Sequence, residues 1–190
     1  MKALETKISN EGVILSGNVL KVGSFLNQRI DTEFMFEMGK ETAGLFSGDN
    51  VTKILTIEAS GIAYALAAAY YLHVPVVFAK KSAASNVSGS VYKAKVHSFT
   101  HGCDFGAIVP TEYLQPQDRV LIVDDFLADG NAIAGLSDII SQSGAECVGA
   151  AVAIEKGFQG GGDRLRASGM RVESLAVIDR MDENGIIFRT

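Results

Sequence analysis

From residue 50 onward, short aliphatic and β-branched runs alternate with stretches whose apolar positions fall at helical spacing. That is the pattern of strands joined by crossover helices around a parallel sheet. Residues 53–57 (Lys-Ile-Leu-Thr-Ile) read as a buried strand, 62–73 as an alanine-rich helix and 74–79 as the next strand, which makes one βαβ unit. A second unit starts with a strand at 119–123. It continues through a helix with Ile133, Leu136, Ile139 and Ile140 on one face, stops at Gly144 and returns as a strand over 146–154. A short helix around 164–167 and a last strand at 172–178 complete the pattern.

Two regions leave this rhythm. Residues 82–104 are polar and small at first, then alternate through Val-Tyr-Lys-Ala-Lys-Val-His, which predicts a mobile flap containing a solvent-facing strand. The first 50 residues carry Gly17-Asn18-Val19-Leu20 and an amphipathic helix over 32–46, and read as a cap outside the alternating core. With no repeat, linker or low-complexity stretch, residues 1–190 predict a single domain, with a hood over 1–50 and a core over 51–181 that includes the flap at 82–104.

Composition narrows the classes. Of 190 residues 47% are hydrophobic and 21% charged, with only 3 prolines, so the chain has the means to bury a core and intrinsic disorder is excluded. Seventeen basic against 22 acidic residues give a net charge of −5, which argues against a nucleic-acid-binding protein. The 2 cysteines, Cys103 and Cys147, cannot build a disulfide framework or a four-cysteine zinc site, which fits a reducing, cytosolic setting. Lys2, Glu5, Lys7, Asn10 and Glu11 break up any secretory h-region, and Glu58, Ser60, His73 and Pro75 interrupt the one stretch long enough to suggest a membrane span.

The segment 120–132, Val-Leu-Ile-Val-Asp-Asp-Phe-Leu-Ala-Asp-Gly-Asn-Ala, carries the chemistry. In an open α/β sheet ligands sit beyond the carboxyl ends of strands, and this strand brings Asp124 and Asp125 to that place. The small-residue turn at 128–132 then opens a helix whose first N–H groups are donors to an anion. Two carboxylates beside a phosphate cradle suggest a sugar phosphate, the acids accepting from vicinal hydroxyls or acting through hydrated magnesium. The alternative is that the acids end a strand and cap a helix.

Four apolar residues, two acids, two apolar residues and a small glycine-containing loop resemble the 5-phosphoribosyl-1-diphosphate (PRPP) motif of type I phosphoribosyltransferases. The resemblance runs through Leu20 to Asn27, Thr56 to Gly61 and Ile154 to Gln159, and is nearest to the xanthine-using branch of bacterial purine salvage. It implies an α/β fold with a parallel-sheet core flanked by helices, an N-terminal hood and a flexible flap. The implied reaction is xanthine plus PRPP giving xanthosine 5′-monophosphate and diphosphate, in a cytoplasmic homodimer. Magnesium would be held mainly by PRPP, with no direct protein ligand.

Carried over residue by residue, Ala128, Asp129, Gly130, Asn131 and Ala132 would bind the 5′-phosphate, and Asp124 and Asp125 would lie by the ribose hydroxyls. Leu20, Asn27 and Lys156 would contact the base; Asn27 offers both a donor and an acceptor, Lys156 a donor to a purine oxygen, and Phe158 a ring for stacking. Glu58, Ala59, Ser60 and Gly61, in a loop where relatives often have a strained backbone, would hold the diphosphate with Lys80 and Lys81. Tyr92, Lys93 and Lys95 would belong to the flap. Asp129 departs from the family pattern by placing an acid near a dianion, and Asn131 stands where many relatives carry a hydroxyl.

Other chemistries lack support. Neither a P-loop nor a G-x-G-x-x-G fingerprint is present, and Gly160-Gly161-Gly162 reads as a flexible turn. His73, His97 and His101 read as structural or exposed, leaving no evident base. The rival functions are a guanine- or hypoxanthine-preferring transferase and a non-catalytic PRPP sensor. The second is disfavoured by the charge and by the lack of a basic recognition helix before residue 50.

Overall fold

The structure is a computed structural model, described over residues 1–16, 18–82, 89–98, 103–182 and 185–189. Gly17, His101 and the flap positions 83–88 and 99–102 lie outside the described residues.

Helix α1 (Lys2–Glu11) leads into a two-stranded antiparallel hairpin of β1 (Val13–Leu15) and β2 (Val19–Lys21), a π-helical turn at Gly23–Asn27 and helix α2 (Thr32–Leu45). The Asp31 carboxylate accepts from the Phe34 amide and so caps α2. The first βαβ unit is β3 (Lys53–Ile57), α3 (Gly61–Leu72) and β4 (Val76–Ser82). An antiparallel pair comes next, β5 (Val91–Ser98) and β6 (Cys103–Pro110). The second unit is β7 (Arg119–Leu127), α4 (Asn131–Ser143) and β8 (Glu146–Lys156). The chain ends through α5 (Gly161–Ala167), β9 (Val172–Asp182) and β10 (Gly185–Phe188).

The main sheet runs β10-β9-β8-β7-β3-β4-β6-β5. Strands β9, β8, β7, β3 and β4 are mutually parallel, so the expected parallel core is present, while β10, β6 and β5 add antiparallel edges. Because successive side chains leave a strand on opposite faces, each central strand feeds two cores. Leu121, Val123, Ala151 and Ala153 pack on the α2–α3 side, and Val120, Ile122, Ala150 and Val152 on the α4 side. Ile133, Leu136, Ile139 and Ile140 are buried as their spacing predicts, each worth about 1.5–3 kcal/mol of burial. Gly144 ends α4 in the left-handed region (φ 75°).

In four places the structure departs from the pattern in the chain. The strand expected to stop at Val123 continues to Leu127, because β8 stays paired alongside it (Asp124 with Val152, Phe126 with Ile154); the acidic pair is therefore inside a strand rather than beyond its end. The N-terminal 50 residues are not perched outside the core: Leu4, Ile8, Leu20, Phe25, Met35 and Met38 share one buried cluster with Tyr64 and Leu121. The alternating strand of the flap region exists as β5, with Lys93 and Lys95 exposed, but its other face is covered. Val96 is buried near Gly135 of α4, and Gln142 of α4 both accepts from the Lys93 amide and donates to its carbonyl. Gly161 and Gly162, finally, are a buried helix start rather than a flexible turn.

Among the described residues no helix is long and apolar enough to cross a membrane.

Candidate active site

A cleft of about 510 Å³ opens at the carboxyl ends of β3 and β7, where the hairpin, the turn before α3 and the turn before α4 converge. It is lined by Leu20, Asn27, Glu58, Ser60, Lys81, Asp124, Asp125, Ala128, Asp129, Gly130, Ala132 and Lys156 together with apolar side chains. Residues widely spaced in the chain are thus brought into one concavity.

At its centre the two acids are held differently. Asp125, 5% exposed, accepts from Asn27 Nδ2 (3.2 Å) and Ser60 Oγ (2.9 Å), which ties β7 to the N-terminal segment and to the turn before α3. Asp124, 6% exposed, accepts from the Asp125 amide (3.0 Å). Burial, with the Asp125 charge added, holds the Asp124 carboxyl well above the usual carboxylate range. Beside it the Thr56 hydroxyl is buried with no partner among the described residues. A Cβ on Gly61 would lie 2.4 Å from Thr56 Oγ1 and 2.6 Å from Asp124 Oδ1, so only glycine lets α3 start this close to both.

The 58–61 turn carries a cis peptide bond between Glu58 and Ala59. Glu58 Oε1 accepts from the Lys81 amide at 2.7 Å, joining this turn to β4. Lys80 and Lys81 are adjacent in an extended strand and project oppositely; Lys81 lines the cleft and lies 5.1 Å from the Phe105 ring centre, whereas Lys80 is outside the lining.

At the hairpin end, Lys156 is 9% exposed, donates to the Asn18 carbonyl at 2.9 Å and lies 5.7 Å from the Phe126 ring centre. Burial lowers the pKa of its ammonium. Leu20 and Asn27 line the same cleft. Phe158 sits on the turn Gly157–Gln159, 37% exposed and outside the lining. An aromatic ring inside the cleft is Phe126, which in the chain is merely one of the two apolar residues after the acids. Its signal is positional: the second residue after Asp124 shares its strand face.

At the opposite end Gly130 (φ 82°) opens α4. Asp129 folds back onto its own loop, Oδ1 accepting from the Asn131 amide (3.1 Å) and Oδ2 from Asn131 Nδ2 (2.8 Å). Asn131 itself is outside the lining. From below, Gly161 presses on the loop: a Cβ there would meet Ala128 O at 2.2 Å and the Asp129 carbonyl carbon at 2.6 Å. Helix α5 is held in that place by Arg166, which grips fully buried Glu155 with both terminal nitrogens (2.9 and 2.6 Å). Burial pushes Glu155 up, and Arg166 and Ser174 override it to leave its pKa below the ordinary value.

Among the described residues no group of three or more His, Cys, Asp or Glu converges as a metal cage. His73 ends α3 in the left-handed region, and the His97 backbone lies in β5.

Known proteins place this geometry in a family. A family model described as the phosphoribosyl transferase domain matches residues 35–179. The xanthine phosphoribosyltransferase of Lachnoclostridium phytofermentans is 50% identical over 100% of this chain and 98% of its own. Xanthine phosphoribosyltransferase 1 of Clostridium perfringens is 50% identical over 100% of both chains. Among solved structures, adenine phosphoribosyltransferase from Leishmania donovani superposes with a TM-score of 0.75 over 96% of this chain and 83% of its own, at 18% identity. The adenine phosphoribosyltransferase of Rhodothermus marinus does so with a TM-score of 0.73 over 93% and 98%, at 22% identity. These two share the fold.

Proposed function

The chain belongs to the phosphoribosyl transferase family, and from that premise we propose that it transfers the phosphoribosyl group of PRPP to xanthine, giving xanthosine 5′-monophosphate and diphosphate. The observation that carries the choice of base is the half-identity, end to end, with relatives named for that activity.

The cleft supports a placement for each part of the substrates. The 5′-phosphate lies on the amides of the 128–132 loop at the start of α4, where a helix directs its first N–H groups outward. Asp125 accepts from the ribose hydroxyls, its orientation fixed by Asn27 and Ser60. The diphosphate extends to the 58–61 turn and Lys81. The base rests against Leu20 and Phe126, between Asn27 and Lys156. Asn27 uses one of its two amide N–H groups on Asp125, leaving the other and its carbonyl oxygen for the base, while Lys156 donates to an oxo group. Lys80 and Phe158 lie outside the lining, so we give them no direct contact with the substrates.

In the reaction the anomeric C–O bond to diphosphate breaks, its electron pair leaving with the diphosphate, a C–N bond to the base forms, and the ring N–H proton of the base passes to the released diphosphate or to water. Positive charge develops on the ribose in an oxocarbenium-like transition state, and the Asp125 carboxylate lies where it opposes that charge. Apolar walls from Val19, Ile57, Phe126 and Leu127 exclude water that would hydrolyse the activated sugar. Magnesium fits this setting through the oxygen donors Glu58 and Asp125, which would suit a hydrated ion arriving with PRPP. When bound, it neutralises the departing diphosphate.

The reading includes a cytoplasmic homodimer. An exposed edge-to-face group of Phe36, Tyr70 and Tyr71 on α2 and α3 supports a protein contact.

The test is nucleotide formation from PRPP and magnesium with xanthine, guanine, hypoxanthine and adenine in separate assays. Xanthine should lead. Leading turnover of guanine or hypoxanthine would overturn the base assignment and keep the PRPP site. PRPP binding without turnover of any base would favour a sensor.

A further inference from the structure

The 128–132 loop satisfies two of its own donors. Asp129 accepts both from the Asn131 amide N–H and from the Asn131 side chain. A carboxylate therefore sits on donor groups at the start of α4, the position an incoming phosphate group seeks. If the phosphate binds there, two anions compete for the same donors. Like charges at hydrogen-bond separation repel strongly, so the carboxylate must leave as the phosphate arrives.

Arg164 gives it somewhere to go. Its Nη2 donates to the Asp129 carbonyl at 3.0 Å and its Nη1 to the Gln159 carbonyl at 3.4 Å. Its neighbours on the same face of the molecule use their guanidinium groups otherwise: Arg166 is paired with Glu155, and Arg189 with Asp179 and Asp163. Among the described residues Arg164 is paired with no carboxylate, although it is already bound to the main chain of Asp129. Released from Asn131, the Asp129 carboxylate would find this guanidinium already bound to its own main chain.

We propose that Asp129 and Arg164 form a displaceable cap on the PRPP site: Asp129 holds the Asn131 donors until PRPP binds, and Arg164 receives its carboxylate when the phosphate of PRPP takes its place. Both are positioning residues. The inference rests on the phosphoribosyl transfer proposed above and adds that PRPP binding is weakened by the cap and partly restored by the arginine.

A double-variant cycle on the full-length protein tests it. Asp129→Asn is nearly isosteric and removes the competing charge; it should lower KM for PRPP by about fivefold, since a pair in direct contact couples at the level of about 1 kcal/mol. Arg164→Gln should raise KM for PRPP by a similar factor, leaving KM for xanthine and kcat within about twofold, a split that general loosening of the fold does not produce. In the Asp129→Asn background, Arg164→Gln should change KM for PRPP little. The Arg164→Lys variant should recover part of the loss.

Equal effects of Arg164→Gln in both backgrounds would overturn the cap and make Arg164 a direct phosphate ligand. An Asp129→Asn enzyme with unchanged or higher KM for PRPP, and an unchanged melting temperature, would overturn it too. A wild-type protein that neither binds PRPP nor forms nucleotide would instead remove the transfer reading, and the cap with it.

Discussion

Asn27 and Asp125, 98 positions apart in the chain, meet in the cleft, with Asn27 Nδ2 donating to Asp125 Oδ2 at 3.2 Å. One residue assigned to the base thus orients the carboxylate assigned to the ribose. Ser60 fixes the other carboxylate oxygen, so three segments depend on a single side chain.

Asp125→Asn should therefore damage chemistry far more than folding. An asparagine retains one acceptor but turns a donor towards Asn27 or Ser60, and it removes the charge opposing an oxocarbenium-like ribose. We expect kcat/KM to fall by about 10²–10³, the scale for removing one pre-organised electrostatic contact. The melting temperature should hold or rise, because the neighbouring Asp124 loses a like charge. Steady-state kinetics alongside calorimetry reads both; unimpaired turnover would remove Asp125 from the reaction.

Asp124 makes a prediction about pH. Burial, reinforced by Asp125, raises its folded pKa above the unfolded value near about 3.9. Between those two values the folded state binds more protons than the unfolded one, so this group's contribution falls as pH rises through the folded pKa. Asp124→Asn keeps the acceptor for the Asp125 amide and never ionises. Its stability advantage over the wild type should be absent below about pH 4 and grow towards pH 8, each kcal/mol raising the melting temperature by roughly 2–4 °C in a chain of this size. A melting series across pH checks it; a constant difference would mean that Asp124 ionises freely in the fold.

The two βαβ units are legible in the chain because their signals are local: apolar runs, helical spacing and a glycine stop, as at Ile133 to Gly144. The reach of β7 to Leu127 is not, since two adjacent aspartates argue against a strand until β8 is seen pairing beside them. Antiparallel β6, between β4 and β5, and β10, at the edge, escape notice for a similar reason: such strands are set by their partners more than by their own pattern. In the site, the acids and the glycine loop stand out in the chain, and resemblance points to Asn27 and Lys156. Phe126 and Arg164 do not stand out, because a phenylalanine after an acidic pair and an arginine in a short helix have no periodicity that marks them. Only the fold brings Arg164 to the Asp129 carbonyl.

Lys156→Met should separate the two substrates. Methionine matches the length of the lysine stem and removes the cost of burying an ammonium, which lowers the lysine's pKa in the fold. The Asn18 carbonyl loses its donor, so stability should change little in either direction. KM for xanthine should rise by about 10-fold or more, the range of a hydrogen bond to a charged group, with KM for PRPP within about twofold. A rise in KM for PRPP alone would place Lys156 with the phosphates.

Gly161→Ala tests whether α5 supports the phosphate loop by packing alone. The added Cβ would lie 2.2 Å from Ala128 O, 2.6 Å from the Asp129 carbonyl carbon and 2.7 Å from the Gly130 nitrogen. All three are backbone atoms, so no rotamer relieves the clash, and either the loop or α5 must shift. Because Arg166 anchors α5 to buried Glu155, the less anchored loop should give way. KM for PRPP should then rise by about 10-fold or more, on the reasoning that a misplacement near 1 Å costs up to about 10²-fold. Gly44→Ala is the control: no atom lies within 4 Å of its Cβ, and it should stabilise α2 by about 0.5–1 kcal/mol with kinetics unchanged. If Gly161→Ala loses stability yet keeps its KM for PRPP, α5 has yielded instead, and the loop holds its shape without it.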